Sequence, residues 1–185
     1  MEFRLIHQGP LKSNAGPTDK QALRREFHRQ LSVLWEQIPL KGFKMLLNPV
    51  PGPGEISILK TVGPFVFAPL VCEAIHLVCD LEITLLRPEP PGSVITQSGD
   101  IDNRLKTLFD GLRMPKVPGE IVPGDSPATG EKPFFCLLED DNLITKVTVV
   151  TDRLLQPTSN PNEVLLVICV NIHATQLIFK NMGLG

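Results

Sequence analysis

Residues 74–86 read Ala-Ile-His-Leu-Val-Cys-Asp-Leu-Glu-Ile-Thr-Leu-Leu. The run is rich in β-branched and apolar residues, the composition of a strand covered on both faces, so it predicts a long central strand. Arg87-Pro88-Glu89-Pro90-Pro91-Gly92 stops it, because proline cannot donate to a ladder and Pro/Gly clusters favour turns. Upstream, Phe3, Leu5 and His7 alternate with Glu2, Arg4 and Ile6, the period of a half-buried strand, which Gly9-Pro10 ends. Downstream, residues 143–151 and 163–172 read as two strands joined by a turn at 157–161. Two helices are expected. The first, capped by Thr18 or Asp19, runs to about Gln37, with Leu23, Phe27, Leu31, Leu34 and Trp35 on one side. Lys20, Arg24, Arg25 and Arg29 lie on its opposite side, where a solvated face is the ordinary reading. The second helix runs from about Asp102 to Arg113. The sum is an α/β (α+β) domain over 1–185, a small mixed sheet with two helices.

The chain has 185 residues, 18 of them proline and 14 glycine, which favours long stiff connections over a helical bundle. Two Pro/Gly-rich stretches, about 38–72 and 114–133, read as insertions, the first with short strands near 56–60 and 65–69. Tyrosine is absent and aromatics are few, which disfavours a binder that stacks many bases. No apolar run reaches the roughly 18 residues of a membrane helix, and Met1-Glu2-Phe3-Arg4 lacks the apolar stretch of a signal peptide, so a cytoplasmic protein is expected. Cys72, Cys79, Cys136 and Cys169 form no CxxC pair and read as reduced thiols. Net charge is only −2, yet residues 1–60 carry nine Lys/Arg against five Asp/Glu, and nine acids fall between Asp100 and Asp141.

Several lookalike motifs fail. Gly124 and Gly130 lack the Gly-Lys-Ser/Thr of a phosphate loop. Leu105 stands where a calcium loop opening at Asp100 needs glycine. Cys72, His76 and Cys79 would face opposite sides of one strand and read as core residues rather than zinc ligands.

What survives is a pair of acidic clusters, Asp100-Ile101-Asp102-Asn103 with Asp110, and Glu139-Asp140-Asp141-Asn142. In the second helix Leu105, Leu108, Phe109 and Leu112 make the buried stripe, and Asp102, Lys106 and Asp110 line up beside it. Asp102 is also a natural first-turn acid, favoured by the helix dipole. Asp140 and Asp141 open the strand beginning at Leu143. If that strand pairs near the helix start, the carboxylates converge, and a hard divalent cation relieves their repulsion. With Lys106 one turn from Asp102, this is equipment for phosphodiester hydrolysis.

The pattern Asp100-x-Asp102-Asn103-x-x-Lys106, then Asp110, then Asp140-Asp141, resembles the RusA-like Holliday junction resolvases. Pro10-Leu11-Lys12-Ser13-Asn14 is similar to that family's proline-Ser-Asn turn, and the likeness spans roughly residues 2–37 and 75–172. The resemblance implies a small, dimeric, Mg²⁺-dependent endonuclease, with Mn²⁺ as substitute, acting on branched DNA in recombination or repair. It implies Asp100, Asp102 and Asp141 as metal ligands and, with Lys106, as catalytic residues. Asn103, Asp110 and Asp140 would support them, Asp110 by an ion pair with Lys106. Lys12, Asn14, Arg24 and Arg104 would contact DNA. The acidic balance and the long spacing from Asp110 to Asp140 depart from the family, since electrostatics dominates DNA affinity. A non-cleaving DNA-binding member, or a metal phosphodiesterase acting on a small nucleotide, are the alternatives.

Overall fold

A computed structural model describes residues 1–89, 101–158, 160 and 162–185. The α+β expectation holds, but with two sheets rather than one. The larger sheet has the order β1 (Glu2–Pro10), β7 (Glu163–Ala174), β4 (Leu77–Arg87), β6 (Ile144–Arg153). β7 runs antiparallel to both β1 and β4, while β4 and β6 are parallel. The second sheet joins β2 (Lys60–Val62), β3 (Phe65–Val71) and β5 (Phe134–Leu138), with β3 and β5 parallel.

The alternation read in β1 is real: Leu5, His7 and Gly9 are buried and Arg4, Ile6 and Gln8 exposed. β4 is central as expected, but it starts at Leu77 rather than Ala74. Residues Glu73–Ile75 form a 3-10 turn closed by His76 in the left-handed conformation (φ 52°). Cys72 and Cys79 therefore lie on either side of a turn, not on one strand. All four cysteines are free, and burial pushes the Cys72 and Cys79 thiols up to about 12.

Helix α1 is Pro17–Trp35, and it starts on Gly16 with proline in its first turn, not on a Thr18 or Asp19 cap. Leu23, Phe27, Leu31 and Trp35 pack into the core. Helix α2 is Ile101–Leu112. Leu108 and Leu112 are fully buried, and Leu105 and Phe109 pack beside them. No helix among the described residues is long and apolar enough to cross a membrane.

The two insertions build one structure. Val62, Phe65 and Phe67 from the first meet Met114 and Ile121 from the second, with Phe134 and Cys136 of β5, in a separate small core. Arg25 ties this unit to α1 through Asp125 (2.8 Å) and Glu131 (3.0 Å).

Candidate functional site

The head of α2 is fastened to the ends of β1 and β7. The Arg104 guanidinium donates to the Leu11 carbonyl and to Asn162 Oδ1 (3.3 Å), and the Ala15 N–H donates to Thr107 Oγ1 (3.3 Å). Arg104 is buried, and desolvation together with nearby Arg87 lowers its pKa. Asp102 lies in the first turn, and Lys106 is one turn further on; both are exposed. No ion pair to either is found among the described residues. Asp100 lies outside the described residues.

The other acids are engaged. Asp110 is buried, 2.7 Å from Lys20 Nζ and 2.6 Å from Arg113 Nη2. Burial opposes its ionisation, but Lys20 and Arg113 outweigh burial and lower its pKa. It holds α1 to α2 and does not anchor Lys106 as expected. Asp140 lies 2.6 Å from Lys116 Nζ and accepts the Asn142 N–H at 3.1 Å; Asp141 is 3.5 Å from the same lysine. Burial acts upward on Asp140, yet Lys116, the Asn142 N–H and Asp141 bring it down to about 2.

The expected convergence of Asp102 with Asp141 does not occur within one chain, and strand direction is the reason. Because β6 is parallel to β4, it begins beside Cys79 and ends beside Arg87. Asp141 therefore stands at the sheet end where β4 starts. The α2 head stands at the opposite end, where Pro10 pairs with Glu163 and Leu86 with Leu165. The ladder of β6 covers about 30 Å between these ends. The helix separates them as well. Met114, just past its last turn, donates to the Leu138 carbonyl at 2.9 Å. Asp102 lies about 16 Å of helix away from that contact. Among the described residues no group of three His, Cys, Asp or Glu could hold a metal ion. One chain's Asp102 and Asp141 thus do not fit a shared Mg²⁺.

Two expected DNA contacts are also corrected. Arg24 is 1 % exposed and donates to the Arg113 carbonyl (3.1 Å) and Gln21 (3.2 Å), so it is a core residue rather than a phosphate ligand. Arg104 is likewise occupied by Leu11 and Asn162. Lys12, paired with Asp19 at 3.0 Å, and Asn14, at φ 54°, remain exposed on the turn beside the α2 head.

Two features escaped sequence reasoning. Lys116, which pairs with Asp140 and Asp141, sits in an irregular stretch with no periodic signal. His7 Nδ1 lies 2.7 Å from Glu26 Oε2 beside a cavity of about 170 Å³, and its Nε2 is buried without a partner. The β1 alternation pointed His7 inward, but nothing local marked Glu26 as its partner.

No family model, curated protein or solved structure matches the chain.

Proposed function

We propose that this chain is a metal-dependent endonuclease acting on branched DNA in the cytoplasm as a homodimer, with its chemistry at the head of α2. The observation that carries the reading is the exposed Asp102–Lys106 pair. The fold leaves these two charges open while it engages Asp110, Asp140 and Asp141 in ion pairs. Mg²⁺ is commonly held by one or two carboxylates plus substrate phosphate. Asp102, with Asp100 two residues before it in sequence, supplies that donor type. Lys106 stands where it would offset charge on a bound phosphate.

The test is cleavage of a four-way junction with Mg²⁺ or Mn²⁺, against linear duplex. Asp102→Asn and Lys106→Met are each expected to lower the rate by about 10²-fold or more, with junction binding retained. Activity within about tenfold of wild type in either variant removes that residue from the site. The separation of Asp102 from Asp141 favours a second reading, a DNA-binding protein that does not cleave. Junction binding without cleavage under either metal selects it.

A further inference from the structure

The cavity of about 170 Å³ beside His7 lies between β1 and α1. On the α1 side it is lined by Asp19, Ala22, Leu23 and Glu26, one i, i+3, i+4, i+7 stripe of the helix. Along that stripe the order is acid, two apolar residues, acid. Asp19 and Glu26 stand two turns apart, about 10 Å along the helix axis. On the β1 side His7 and Gly9, two residues apart, share a face of the strand. Neither lysine nor arginine is among the described residues that line the cavity.

His7 supplies a polar group with nothing to bond. It is 4 % exposed, its Nδ1 lies 2.7 Å from Glu26 Oε2, and its Nε2 has no hydrogen-bond partner among the described residues. Buried polar atoms left unpaired are costly, and folded proteins keep few of them. With the Nδ1–H donating to the carboxylate, Nε2 is an acceptor. Gly9 keeps that edge of the ring open. A Cβ at Gly9 would lie 3.3 Å from His7 Cε1 and 3.7 Å from Nε2, and its φ of 154° is one that side chains rarely adopt. Glycine thus leaves the space next to Nε2 to the cavity.

These groups specify a ligand. Two carboxylates and an imidazole acceptor call for positively charged N–H donors. Ala22 and Leu23 between them call for carbon. Lys12 already shows the preference at one end, its ammonium lying 3.0 Å from Asp19 Oδ1 on the rim. The geometry points to a binding site for a short linear aliphatic diamine, with one ammonium at Asp19, the other donating to His7 Nε2 beside Glu26, and the methylenes against Ala22 and Leu23. The Lys12 ammonium competes with the ligand for Asp19. The site does not depend on whether the chain cleaves DNA.

Isothermal titration without DNA tests the site, with diaminobutane and diaminohexane as probes. One of the two is expected to saturate a single site per chain. Butylamine, with one ammonium, should bind about tenfold more weakly or worse, and butanediol should give no heat. Asp19→Asn should weaken diamine binding by about tenfold, the effect of losing one charge-assisted hydrogen bond. Lys12→Met removes the competing ammonium and should tighten binding by about threefold. Neither side chain is buried, and circular dichroism checks that both variants keep the fold.

Nitrogen NMR of the histidine side chains locates the ligand. The His7 Nε2 resonance should move as the diamine saturates the protein, because that nitrogen gains a donor. Failure of both diamines to saturate at millimolar concentration overturns the site. So does butylamine binding as tightly as the diamines, or a His7 Nε2 resonance that stays fixed at saturation. A diamine affinity unchanged in Asp19→Asn or in Lys12→Met overturns the two-ended arrangement.

Discussion

Arg24 is a cation that the amphipathic pattern sets on a solvated face and the fold sets in the core. Its guanidinium reaches the Arg113 carbonyl beyond the last turn of α2, so its work is to tie the two helices. Burial lowers its pKa, and the nearby Arg113 adds to this, but arginine stays charged. Arg24→Ala should therefore cost about 2–4 kcal/mol in a urea melt, since it removes buried stem and strands a carbonyl. The salt dependence of DNA binding should not change, which a phosphate contact would not allow. Lys116 gives a residue-scale prediction with a pH sign. Asp140 titrates lower in the folded protein, at about 2, than an ordinary aspartate near 4. The ion pair thus stabilises the fold above about pH 4 and is lost as pH falls toward 2. Lys116→Met should move the Asp140 carboxyl carbon titration upward and flatten acid unfolding across that window. An unmoved titration would mean that the Asn142 N–H and Asp141 set the value without the lysine.

Among elements, α1 and α2 meet at Gly111, where a Cβ would lie 2.9 Å from Leu23 Cβ and 3.2 Å from its Cδ1. Alanine is the better helix former by up to ~1 kcal/mol, but a Cβ–Cβ clash between two helices demands that one of them shift. Gly111→Ala should be destabilising by about 1–2 kcal/mol net; a more stable variant in thermal melts would mean that the helices separate easily. The elements were unequally legible. β1, β4 and β7 declared themselves by alternation or by long apolar runs. β5 did not: Phe134–Leu138 is a five-residue run after a proline-rich stretch, and its partner β3 is more than sixty residues earlier in the chain. The second sheet joins β2 and β3, from the first stretch read as an insertion, to β5 just after the second, a pairing the sequence hid because local pattern says nothing about distant partners. The site suffered likewise. The motif residues Asp102, Lys106, Asp140 and Asp141 were legible as types, and Asp102 does lie in the first turn of α2. Their separation turns on whether β6 runs parallel or antiparallel to β4, and strand direction leaves no trace in residue spacing.

At the scale of the whole molecule, the proposed cation site links metal binding to folding. A cation that binds the folded chain and not the unfolded one adds about 2.7 kcal/mol at a hundredfold excess over Kd. Millimolar Mg²⁺ or Mn²⁺ should then raise the wild-type Tm by roughly 5 °C or more. The Asp102→Asn protein should hardly respond. Equal shifts in both proteins would place the cation away from the head of α2. The Gln30 amide has a consequence for association. It accepts the Ile6 N–H at 2.9 Å and donates to the Ile6 carbonyl at 2.7 Å, so it occupies the outward backbone groups of the β1 edge at that residue. With the edge at Ile6 free, β1 would offer those groups to a strand of another chain. Gln30→Ala should therefore show a larger mean particle size than wild type by light scattering at high concentration. One amide works as a chain terminator on a strand edge that would otherwise be open to pairing at Ile6.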